Sequence, residues 1–119
     1  QLQEINALIE EAFVYKSQNH YSLAVQCLNK VLNLTNEAEL KYMALKEQIY
    51  LLKQLGQYNE AIDLVQSFVN HSWPEADIMN DIQNELEYLV RLKNELDYLK
   101  IGNLPIAQVP RWIKLKLGS

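Results

Sequence analysis

The 119-residue sequence predicts an all-α fold: an α-α superhelix of antiparallel helical hairpins, with a long C-terminal capping helix and an apolar tail. Three observations carry this reading. Apolar residues recur at three- and four-residue steps through most of the chain, which is the spacing of one helix face. Breakers are scarce, with 3 glycines and 3 prolines, and they fall between the apolar stripes. Hydrophobic residues make up 49% and charged residues 22%, enough to pack one domain and too apolar for disorder.

Taken in order, the first stripe is Ile5, Leu8, Ile9, Ala12, Phe13 and Tyr15, interrupted by Asn19-His20-Tyr21-Ser22. The second is Leu23, Ala24, Cys27, Leu28, Val31, Leu32 and Leu34. Ser22 is expected to cap it, its hydroxyl accepting from an otherwise unpaired backbone N–H. Thr35-Asn36 marks a break, and Asn36 with Glu39 has the spacing of a capping box. Leu40, Met43, Ala44, Leu45, Ile49, Leu52 and Leu55 then form a third helix, ended by Gly56, which tolerates the left-handed conformation that closes a helix.

Asn59 is expected to cap a fourth helix bearing Ala61, Ile62, Leu64, Val65, Phe68 and Val69. Ser72 and Glu75 read as a capping box, with Pro74 in the first turn. The fifth helix runs from about 75 to about 101 on Ile78, Ile82, Leu86, Leu89, Leu92, Leu96 and Leu99, and Gly102-Asn103 and Pro105 stop it. Its acidic residues concentrate toward its N-terminal part, where the helix dipole favours them. Only Ile113 to Leu117 has any strand character.

The chain repeats itself. Tyr21 falls on Tyr58, Ser22 on Asn59, Ala24 on Ala61 and Val25 on Ile62, all 37 residues apart. Leu8, Ala12 and Tyr15 fall on Leu45, Ile49 and Leu52 in the same register. Two helices per unit, with a small residue at a fixed position, is the grammar of a helical-hairpin solenoid.

In these residues the sequence resembles the tetratricopeptide repeat family over roughly residues 5 to 92. The pattern appears as Leu8, Glu11, Ala12 and Tyr15, as Ala24 with Leu28 and Ala61 with Val65, and in the turn Gly56-Gln57-Tyr58-Asn59-Glu60-Ala61. There are departures. Glu11 and Gln48 stand where leucine is usual, Ile49 stands where a small residue is usual, and neither unit ends in proline. The third unit lacks a turn, and Tyr98 replaces its small residue. The resemblance implies a repeat domain over 1–102 and a tail over 103–119, packed back on the domain or on a partner.

The resemblance also implies that the first helix of each pair lines a concave face. That face takes Asn6, Ile9, Phe13, Lys16 and Ser17 from the first unit, and Met43, Lys46, Tyr50, Lys53 and Gln54 from the second. Helical spacing alone aligns Ile9, Phe13 and Lys16, and likewise Met43, Lys46, Tyr50 and Lys53. Apolar and aromatic surface mixed with three lysines favours a peptide with apolar anchors and some acidic groups. The competing reading packs Phe13 and Tyr50 against neighbouring helices. Ile9 and Phe13 occupy the first-unit positions at which some members hold a carboxylate clamp, so a clamp of that kind is not expected.

Leu104, Ile106, Val109, Trp112, Ile113, Leu115 and Leu117 make the tail too apolar for a free linker. It is expected to fold back along the fifth helix or to pack on a second copy. Contact with a membrane is not expected, although Arg111, Lys114 and Lys116 beside Trp112 would suit an anionic surface.

Catalysis is not expected. Cys27 lies on an apolar helical stripe, His20 and His71 have no motif partners, and no phosphate loop or metalloprotease motif is present. No metal or cofactor is expected, and a net charge of −4 argues against a nucleic-acid surface. With one cysteine, no apolar span and no leader-like start, a cytoplasmic setting is expected. The reading is a non-enzymatic protein–protein interaction module with a peptide or protein partner. Its alternative is an assembly element that self-associates, as a homodimer, through the last helix and tail.

Overall fold

Two turns of identical design organise the chain in the computed structural model, which describes residues 2–71 and 73–118. The elements are α1 (Leu2–Ser17), α2 (Tyr21–Leu34), α3 (Ala38–Gln54), α4 (Tyr58–Val69), α5 (Ala76–Tyr98), a 3-10 turn (Ile106–Gln108) and α6 (Arg111–Lys116). The fold is all-α, and there is no strand among the described residues.

The first turn closes α1 with Asn19 in the left-handed region at φ 62°. The His20 N–H donates to the Tyr15 carbonyl at 2.8 Å and the Asn19 N–H to that of Lys16 at 3.0 Å, which is the Schellman closure. Gly56 holds the equivalent place after α3, at φ 72°. His20 and Gln57, each just before the next helix, have φ/ψ of −91°/67° and −94°/66°. The 37-residue spacing is thus repeated in backbone dihedral angles. At Gly56 a Cβ would also run into the Asn103 carbonyl, so glycine is required there on two grounds.

The expected caps are not where helices start. Because each turn delivers the chain directly into a helix, α2 opens at Tyr21 and α4 at Tyr58, with His20 and Gln57 as cap residues. Ser22 and Asn59 therefore lie inside the first turn. At α3, Thr35 Oγ1 accepts from the Glu37 N–H at 3.1 Å, and the helix begins two residues beyond Asn36. Glu75 is itself the cap position of α5, without a side-chain capping bond, and Pro74 precedes the helix. Ser72 lies outside the described residues.

The chain divides into two compact units, Gln1–Leu52 and Lys53–Ser119. In the first, α1 packs along α2. Ala12 and Ala24 are buried between larger residues, so the helix backbones approach closely. Ile5, Cys27, Leu28, Val31, Ala44 and Leu51 complete this core.

In the second unit α4 packs along α5, and the tail belongs to the same core. Val109, Ile113 and Leu117 are buried with Tyr58, Leu92 and Leu96. The Tyr58 hydroxyl donates to the Leu104 carbonyl at 2.5 Å, and burial pushes this phenol up to about 12. Lys93 Nζ donates to the Gly102 carbonyl at 3.0 Å, and Lys116 pairs with Glu95 at 2.8 Å. The strand character of Ile113–Leu117 is overturned, since this segment lies in and directly after α6. A strand would bury every second residue, whereas Leu115 is 63% exposed while Val109, Ile113 and Leu117 are buried at four-residue steps.

Candidate functional site

The side chains assigned to the concave face separate into two groups, one in each unit. In the first, Lys16 in the last turn of α1 forms an ion pair with Glu47 of α3. Its Nζ lies 4.6 Å from the centre of the Tyr50 ring and 5.6 Å from that of Phe13. Glu47 and Tyr50, three residues apart on α3, present their side chains on one helix face. The ammonium is thus held by a carboxylate while its remaining surface lies against two aromatic faces, whose quadrupoles attract a cation. Phe13 and Tyr50 stay 43% and 42% exposed, so the packed-ring reading leaves much of each ring facing solvent.

The second unit carries the same arrangement one repeat later. Lys53 Nζ lies 3.5 Å from the Glu85 carboxylate and 5.8 Å from the centre of the Tyr88 ring. Glu85 and Tyr88 are again three residues apart, on α5.

The remaining candidates are placed differently. Asn6 is exposed on α1, whereas Ile9 is half-buried and packs against the core of the first unit. Ser17 is exposed, and its hydroxyl donates to the Val14 carbonyl at 2.7 Å. Met43, Lys46 and Gln54 are half-buried, and Lys46 has an interaction of its own. The structure therefore brings Phe13, Lys16 and Tyr50 together, and leaves Ile9 to packing.

Glu47, Glu85 and Tyr88 are the residues that the concave-face assignment missed. The signal for them is a polar repeat. Each first helix reads Glu, then an aromatic three residues on, then a cation three further: Glu10-Phe13-Lys16, Glu47-Tyr50-Lys53 and Glu85-Tyr88-Arg91. Successive copies are 37 and 38 residues apart.

The four ion-pairing side chains are half-buried; surface ion pairs contribute about 0–1 kcal/mol, and cation–π contacts range from about 0.5 kcal/mol when exposed to about 2 kcal/mol when desolvated. Lys16 and Lys53 do not offer free positive charge, because each has a carboxylate against it. Any other anion reaching either ammonium would have to displace Glu47 or Glu85.

The one thiol, Cys27, is buried, and burial raises its pKa above the ordinary thiol value, which favours the unreactive protonated form. Among the described residues there is no group of three or more histidine, cysteine or acidic side chains placed to hold a metal ion. No described helix is long and apolar enough to cross a membrane. Compared with known proteins, the chain matches no protein-family model, no curated protein and no solved structure.

Proposed function

We propose that this chain is a non-enzymatic, tetratricopeptide-like interaction module that binds a peptide segment over Phe13, Lys16 and Tyr50. The observation that carries the reading is the pair of half-exposed rings flanking one lysine. Two large apolar faces left toward solvent, with a cation fixed between them by Glu47, form a preorganised anchor point. The partner is a helical or extended segment with an apolar or aromatic anchor. An acidic group next to that anchor gains by exchanging with Glu47 at Lys16. A cytoplasmic setting fits a single, reduced and buried thiol.

Selection of peptides from a displayed random library on the immobilised chain tests this. Enriched sequences are expected to carry an aromatic or aliphatic anchor, and to bind Phe13→Ala and Tyr50→Ala variants at least about tenfold more weakly, in line with interfacial aromatic anchors. If no sequence is enriched, or affinities survive both substitutions, the reading fails.

A further inference from the structure

Cations and exposed apolar side chains gather in one stretch of the second unit. Residues 98–119 contain Lys100, Arg111, Lys114 and Lys116 and no Asp or Glu, whereas residues 1–97 carry 7 basic side chains against 15 acidic ones. Tyr98, Trp112 and Leu115, three of the four most exposed large apolar residues among those described, lie in the same stretch.

The helical form of α6 arranges these groups. Ile113 and Leu117 are buried in the core of the unit. At 3.6 residues per turn, the order around the opposite face is Arg111, Leu115, Trp112 and Lys116. The two apolar side chains are therefore neighbours, with a cation on either flank. Trp112 is 55% exposed, and Arg111 is exposed beside it. Lys116 pairs with Glu95 at 2.8 Å and still leaves 58% of its side chain in solvent. Next to Lys116 an open cleft of about 420 Å³ brings in Arg91 from α5, with Glu95 as its one carboxylate, so the cationic surface continues past α6. Lys114 is half-buried and has an interaction of its own.

We propose that this face docks the chain peripherally on an anionic lipid surface, with Trp112 and Leu115 entering the headgroup boundary and Arg111 and Lys116 at the level of the lipid phosphates. An indole suits that boundary, since it has a large apolar body and one polar edge. The stems of Arg111 and Lys116 can lie along apolar surface while their charges stay hydrated, so the flanking cations do not oppose entry. Charge complementarity selects the occupant: an anionic leaflet attracts basic segments, and the acid-free stretch is the one that carries this face. An acidic protein would need a carboxylate fixed opposite each cation and a pocket for Trp112. A leaflet supplies mobile headgroups to the cations and a fluid apolar layer to both side chains. Membrane contact is not expected from the sequence, and α6 alters that reading. A strand over these residues would set Trp112 and Leu115 on opposite faces, whereas the helix sets them side by side and outward.

Two apolar side chains and a few cations make a reversible attachment, and no described helix is long and apolar enough to cross the bilayer. The proposal does not rest on the peptide-binding reading, because Phe13, Lys16 and Tyr50 belong to the first unit.

Co-flotation of the full chain with vesicles of two parts phosphatidylcholine to one part phosphatidylserine tests it. The chain is expected to float with these vesicles at low salt, to be released as salt rises, and to stay behind with phosphatidylcholine alone. Emission from Trp112 is expected to shift to the blue on binding and to be quenched by acyl-brominated lipid, while Trp73, the other tryptophan, is buried throughout. Trp112→Ser combined with Leu115→Ser, and Arg111→Glu by itself, are each expected to weaken partitioning about tenfold or more. All three positions are exposed, so the melting curves are expected to match the parent's. Phe13→Ala, which removes a peptide anchor, is expected to float as the parent does, so the two readings fail separately. A chain that does not float with the mixed vesicles overturns the proposal. Flotation that survives the double substitution, or that is equal on phosphatidylcholine alone, overturns it as well. Binding to a polyglutamate peptide but not to the vesicles would assign the face to an acidic protein and overturn it too.

Discussion

Gln48 is the residue whose environment departs furthest from its chemistry. It is 1% exposed on α3, with Nε2 donating to Asn29 Oδ1 at 2.6 Å and more distantly to the Val25 carbonyl, while Oε1 is buried without a partner. A buried unsatisfied acceptor costs about 1–3 kcal/mol, more than one ordinary hydrogen bond returns. Gln48→Leu keeps nearly the same volume, removes the orphan and leaves Asn29, which is exposed, to water. The expected outcome is a stabilisation of about 1 kcal/mol, read as a higher urea midpoint with an unchanged slope. A lower midpoint would show that the Asn29 bond outweighs the orphan. The sequence marked position 48 as unusual for the repeat pattern. It did not show that the side chain is buried, because burial of one polar residue depends on what the facing helix brings to it. Glu11, the corresponding departure in the first repeat, is exposed and accepts from the Tyr15 hydroxyl at 3.2 Å.

Among the elements, helix identity was legible and helix starts were not, while Gly56 closes α3 in the left-handed region as its residue type implied. The apolar stripes placed five helices because burying one face every 3.6 residues is a repeated, additive signal. A terminus is set by one or two dihedral angles. Ser22 and Asn59 looked like caps by residue type, yet the left-handed residues at Asn19 and Gly56 bring the chain into the helix before those side chains can act. The end of α5 follows the same physics with a less suitable residue. Lys100 sits at φ 62°, with the Ile101 N–H donating to the Leu96 carbonyl at 2.9 Å and the Lys100 N–H to that of Asp97 at 3.0 Å. A left-handed conformation costs an L-residue about 1–2 kcal/mol relative to glycine, partly offset by the greater freedom of unfolded glycine. Lys100→Gly is therefore expected to stabilise the protein by about 0.5–1 kcal/mol in thermal or urea unfolding. A loss of stability would mean that the exposed Lys100 side chain contributes more than its backbone costs. In α6 the stripe was too short for periodicity to decide between helix and strand. The burial decided it, since a strand would turn Leu115 to the same side as Ile113 and Leu117, and Leu115 is exposed while both of those are buried.

Over the whole chain, the 37-residue repeat was legible in the apolar and small residues, and it recurs in the dihedral angles of both turns. The two lysine clusters were half legible. Phe13, Lys16 and Tyr50 lay on the expected stripe, whereas Glu47, Glu85 and Tyr88 emerge only when polar positions are aligned and the second step is lengthened by one residue, to 38, because a Lys–Glu pair is a relation between helices. The role of residues 103–119 is a question for the second unit as a body. Removing them exposes Tyr58, Leu92 and Leu96 and deletes Val109, Ile113 and Leu117 from the core. At about 1.5–3 kcal/mol for each large apolar side chain, the three deletions forfeit about 5–9 kcal/mol, against a total of about 5–15 kcal/mol for a typical domain. The truncated chain is therefore expected to lose hydrogen-exchange protection throughout α4 and α5, because these amides depend on closure of that core. The α1 and α2 amides, packed on a core that includes none of the tail, are expected to keep more of theirs. Protection in α4 and α5 that survives the truncation within about twofold would make the tail a passenger, and the burial of Ile113 incidental to stability.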